Sequence, residues 1–147
     1  MNMKKTLIST AIASLFAAPA FAELDRDSAI VSLDVATYAS LTNLDDFVLT
    51  TEDASGSAGA VYTGSDVYNL ESNAQVRVSL QGGNLSNGSD QIETSYDLDG
   101  AGLNMDTTAN SVHNAEHVVS AQAVLGEISA QKAGGYASEI TLTVSAI

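Results

Sequence analysis

Two histidines and a glutamate carry the most chemistry-like spacing in the chain: His113-Asn114-Ala115-Glu116-His117. The string H-x-x-E-H belongs to zinc peptidases, where two imidazoles one helical turn apart hold the metal and the carboxylate activates water. That chemistry needs a helix, a third ligand and a cleft. The preceding Asn110-Ser111-Val112 lacks helical amphipathicity, only 30 residues follow His117, and these are the only two histidines. The segment therefore reads as a surface stretch leading into a strand over 118–125. Carboxylates are the other chemistry-bearing type. Asp97-Leu98-Asp99-Gly100 opens like a calcium loop, yet Thr108 stands where the closing glutamate belongs. Asp45, Asp46, Glu52 and Asp53 could gather at one end of a domain, but clustering by chance is expected in so acidic a chain.

Nucleophile patterns are no stronger. No G-x-S-x-G elbow surrounds any serine, Gly64-Ser65 included. Gly82-Gly83 is not followed by the Lys-Ser/Thr ending of a phosphate cradle. Asn84-Leu85-Ser86 and Asn87-Gly88-Ser89 fit a glycosylation acceptor, idle behind a bacterial-type leader. The residues thus point to a protein that is no enzyme, with no catalytic residue, no metal ligand set and no cofactor.

The start of the chain addresses it for export. Lys4 and Lys5 precede an apolar run from Leu7 to Ala18, Pro19 ends it, and Ala20-Phe21-Ala22 has small residues at both cleavage-site positions. This is the order of a secretory signal peptide over residues 1–22, and the apolar run is shorter than the roughly 20 residues that span a bilayer. Cleavage would leave residues 23–147, the length of a single domain, with no transmembrane segment and a secreted, cell-surface or periplasmic address. In that part Arg26, Arg77 and Lys132 face 18 acidic residues, a net charge of −15. Such a field repels phosphate backbones and excludes nucleic acid as a partner. Cysteine is absent although the compartment permits disulfides.

Period-two alternation supplies the architecture. Val31, Leu33 and Val35 alternate with Ser32 and Asp34; Phe47 and Leu49 follow the Asp45-Asp46 pair. Val76, Val78 and Leu80 form a row, as do Ile92, Tyr96 and Leu98, then Val119, Ala121, Ala123 and Leu125, and finally Ile140, Leu142 and Val144. Each places apolar side chains on one face of a strand and polar ones on the other, the pattern of a sheet with one dry face. Turn-forming clusters fall between them at 55–59, 82–84, 87–89, 99–102 and 133–135. The expectation is an all-β, Ig-like antiparallel β-sandwich of about seven strands. The polar stretch 105–117 reads as a loop or short helical turn. A transmembrane barrel would need an aromatic girdle, and this chain has no tryptophan and 5% aromatics.

Ala133-Gly134-Gly135-Tyr136, running into Ala137-Ser138-Glu139-Ile140-Thr141-Leu142-Thr143-Val144-Ser145, resembles the C-terminal strand of secreted bacterial Ig-like subunits of the fimbrial and spore-coat type. Val118–Leu125 stands where such subunits place their penultimate strand. The resemblance covers about the last thirty residues. It implies self-association by strand donation, in which an N-terminal segment of one protomer completes the sheet of the next, and with it an assembly chaperone. Val31, Leu33 and Val35 are the candidate donor residues. They would serve equally as the first strand of their own domain, the simpler expectation. The functional expectation is an exported structural or surface subunit of a fimbria-like or matrix filament. The alternative is a monomeric periplasmic or extracellular module binding a glycan, an ion or a protein.

Overall fold

A computed structural model describes residues 25–147; the expected signal peptide lies outside the described residues. The chain divides into two units, Met1–Asp34 and Val35–Ile147. Residues 25–34 of the first carry no regular secondary structure and are exposed. The second holds eight strands: β1 Ala39–Thr42, β2 Val61–Ser72, β3 Val76–Gly82, β4 Leu85–Asn87, β5 Asp90–Leu98, β6 Asn104–Asp106, β7 His113–Val124 and β8 Ile140–Ala146. A single 3-10 turn spans Ile128–Ala130. No helix among the described residues is long and apolar enough to cross a membrane.

Every pairing is antiparallel. One sheet has the order β1-β2-β7-β5-β4 and the other β6-β3-β8. Tyr68 and Leu70 of β2, Leu98 of β5 and Val119 of β7 face Val76, Val78 and Leu80 of β3 and Met105 of β6 in one buried cluster. The expected β-sandwich is therefore formed, with one strand more than the count from alternation. Three strands that no alternating row marks are β1, β4 and β6, each of three or four residues and too short to show a period. The turns fall where glycine and its substitutes were read: Gly56, Gly59, Gly88, Gly100, Gly102 and Gly134 take positive φ, as does Asp99.

Three stretches differ from the sequence reading. The run 31–35 forms no strand, because β1 opens at Ala39 already level with Ser72, the last residue of β2. Residues before it have no β2 backbone left to pair with. Phe47 and Leu49 likewise belong to no strand; only Thr50 bridges to Thr63, through two 2.9 Å backbone hydrogen bonds. The stretch 105–117 is neither one loop nor a helical turn. Met105 is buried in β6, and His113–His117 is the first half of the twelve-residue β7.

Gly64 explains how the chain from Leu44 to Leu49 leaves the sheet plane. A Cβ built at Gly64 would sit 2.6 Å from the Val48 carbonyl oxygen and 2.8 Å from Leu49 Cδ2. The missing side chain lets this segment cross the inner face of β2, and the Asp66 carboxylate beside it accepts the Asp45 N–H at 2.7 Å. Gly64→Val must displace backbone, so it is expected to cost about 2 kcal/mol, read as a lowered midpoint in urea.

Candidate functional site

The three-stranded sheet covers only half of the five-stranded one. Its buried residues lie over Tyr68, Leu70, Leu98 and Val119. The other half of the inner face, in the rows Tyr62–Ala123–Thr94 and Ala121–Tyr96, forms the floor of an open groove of about 1060 Å³. One wall is the segment Leu44–Leu49, lying over Gly64. The facing wall runs from Gln131 to Ile140.

That second wall is built by the glycine-tyrosine segment before β8. Ala137 pairs with Ser86 of β4 through backbone hydrogen bonds of 2.9 and 3.1 Å. The Ser138 hydroxyl and the Tyr96 hydroxyl both donate to the Gly83 carbonyl, at 3.0 and 2.7 Å. The Tyr136 hydroxyl donates to the Lys132 carbonyl at 2.9 Å. Having closed this side, the chain turns into β8, which pairs with β3 from Gly82↔Ile140 to Val76↔Ala146. On its other side β8 pairs with no strand among the described residues. The consequence shows in burial: the β3 residues Val76, Val78 and Leu80 are buried, whereas the inward row of β8, Ile140, Leu142 and Val144, is half-buried. Backbone donors and acceptors on a free edge, beside apolar side chains only half covered, are the features of a sheet that takes another strand.

The candidate donor residues stand apart from this groove in character. Val31, Leu33 and Val35 are 95%, 85% and 76% exposed, and Ile30 is 97% exposed. An alternating apolar run left in water is the unusual observation, since lone exposed apolar residues are normal and contiguous ones are not.

The other sequence candidates find ordinary partners. The H-x-x-E-H string lies on a strand, so His113 and His117 share the inner side and Glu116 takes the opposite one. His117 Nδ1 contacts the Asp99 carboxylate at 2.5 Å and its ring stacks on Tyr68 with centroids 5.6 Å apart. His113 Nε2 lies 2.7 Å from the Ala109 carbonyl. Asp97 accepts the backbone N–H of Gly100 and of Gly102, and Asp99 also accepts the Val118 N–H. These carboxylates tie the β5–β6 turn to β7. Asp53 is occupied by Ser55 and Ser57, which pull its carboxyl below the usual carboxylate range. Among the described residues no three acidic or histidine side chains converge as a metal site.

Tyr68 makes this corner sensitive to alkali. Its hydroxyl is buried against Met105 Sδ at 3.8 Å. Burial, with a smaller contribution from Asp99, pushes its pKa from 10 up to about 12. The unfolded chain releases this proton first, so stability is full below pH 10 and falls as pH rises toward 12. The expected loss is about 2 kcal/mol across that window. Tyr68→Phe should flatten this part of a stability-against-pH curve.

Sequence reasoning marked the 133–145 segment and the 31–35 run, read Phe47 and Leu49 as a strand row and counted Lys132 only in the net charge, and did not foresee the groove that these residues line together. No protein-family model and no curated protein sequence matches the chain.

Proposed function

We propose that the protein is an exported structural subunit that polymerises by strand addition: residues 29–35 of one protomer pair with the free edge of β8 in the next. The observation that carries this reading is the half-buried row Ile140, Leu142 and Val144 on an unpaired edge strand. The exposed alternating run in the same chain is the right length to cover it. Seven residues extend about 23 Å, and β8 is itself seven residues long. Val31, Leu33 and Val35 would extend the inward row of Ile140, Leu142 and Val144 while backbone hydrogen bonds form along β8.

The acidic surface keeps such filaments from bundling. The product is a fimbria-like or matrix filament at the cell surface or outside the cell. A chaperone lending a strand to the same edge fits the resemblance of the C-terminal segment.

The test is the mature protein from its export compartment, run unheated in denaturing gel buffer and viewed by negative-stain microscopy. Ladders with fibres are expected. A clean monomer at high concentration with no fibres would favour the module class, which binds a ligand with the groove or end loops.

A further inference from the structure

We infer that the groove binds an organic cation with an apolar body, of the quaternary-ammonium kind. The charge sits between the acidic walls and the body lies along the aromatic floor. Of β8 only Ile140 lines the groove, so strand addition leaves it open and the inference does not depend on assembly. Six aromatic residues lie among the described ones, and four of them, Phe47, Tyr62, Tyr96 and Tyr136, line this groove. All four are half-buried. The hydroxyls of Tyr96 and Tyr136 are committed to the Gly83 and Lys132 carbonyls. That fixes the rings and leaves their faces as the surface offered to a ligand. On the floor, Tyr62 flanks Ala123 and Tyr96 flanks Ala121. The two alanines continue the row that holds Val119 under the covered half, and their small side chains give the floor its depth.

Charge is laid out along the groove. Asp45 and Asp46 stand on one wall and Glu139 on the other. These carboxylates mark the end beside the covered half. The Asp45 N–H is held by Asp66, and Glu139 precedes Ile140, which is level with Gly82 against the Tyr96 ring. The single basic residue of the lining, Lys132, lies at the other end. Its backbone N–H donates to Asp90, six residues before Tyr96 on β5, or about 20 Å along the strand. Its ammonium rests by Gly88 in the β4–β5 turn, 3.3 Å from a Cβ built there. Among the described residues the ion pairs are Arg77–Asp106 and His117–Asp99, so the groove carboxylates have no cation of their own. Aromatic faces attract a cation, and the acidic walls add to that attraction where water is partly excluded. The net negative field of the domain draws cations toward it. An anion is repelled at this end, and a neutral ligand gains nothing from the carboxylates.

The mature protein is titrated calorimetrically with benzyltrimethylammonium, benzyl alcohol and benzenesulfonate, probes that share a ring and differ in charge. The cation is expected to bind about tenfold tighter than either control, and to weaken as salt rises. Asp45→Asn with Asp46→Asn, both exposed positions, should weaken it roughly tenfold. Tyr62→Leu keeps an apolar floor and loses a ring face, and should weaken it roughly fivefold. Glu93→Gln with Glu116→Gln removes as much charge from exposed positions on the opposite face of the sheet. That pair should change the affinity by about twofold or less. A circular-dichroism melt checks that each variant is folded. Equal weakening by the two charge-removing pairs would show that the cation follows the charge of the whole surface, and would overturn the site. Equal binding of the alcohol, or no binding of the cation, would overturn the inference outright. Unchanged affinity in a folded Tyr62→Leu variant would overturn the role given to the aromatic floor.

Discussion

Replacing Val31, Leu33 and Val35 together by asparagine is expected to leave the mature protein monomeric, with its strand content and melting temperature as a folded domain intact. The three side chains are largely exposed, so their loss has little to destabilise at home. Beside a neighbour's β8 each would bury an aliphatic side chain worth roughly 1.5–3 kcal/mol. Their joint removal weakens association by about 5 kcal/mol, or roughly three to four orders of magnitude in the dissociation constant. Light scattering after size exclusion, beside a circular-dichroism melt, separates the two effects. A variant that still forms ladders would show that the run is no donor. A variant that no longer folds would show that it serves its own domain.

The second large effect concerns the covered half of the sandwich. Leu70→Ala removes a fully buried side chain from the cluster of Tyr68, Val78, Leu98 and Val119, and is expected to cost about 3 kcal/mol. No disulfide supports the fold, so this is a large share of the 5–15 kcal/mol that holds typical domains. Denaturant unfolding of the triple-asparagine background gives the number. In that same monomeric background, Leu142→Ala on the half-buried row of β8 should cost only about 1 kcal/mol, since the side chain has less covered area to lose. Equal costs for the two would mean that β8 is already fully covered within one protomer.

The contrast between those positions shows what could be read from the residues. The rows of β3, β5, β7 and β8 were legible where their inward positions run apolar, as in Val76-Val78-Leu80 or Ile140-Leu142-Val144, and the first half of β7 was missed because its inward positions are His113, Ala115 and His117. The longest partner strand, β2, was not. Its inward row includes Gly64 and Asp66, each there for a tertiary reason: Gly64 to let Val48 pass and Asp66 to hold the Asp45 N–H. Periodicity cannot anticipate a polar residue whose partner lies some twenty positions away. The donor run was legible as alternating, and its place was not, because that depends on where β1 aligns with β2. The groove was out of reach for a similar reason. It exists because one sheet is narrower than the other, a property of topology that no local window records.

Hydrogen exchange at Ile140–Ala146 tests most directly whether the free edge of β8 is where protomers join. Exchange is compared between assembled wild-type protein and the monomeric triple-asparagine variant. Backbone amides of β8 that point away from β3 should become protected by orders of magnitude on assembly, while those already bonded to β3 change little. If the outward amides of β8 exchange equally fast in both forms, protomers meet elsewhere and the account is wrong.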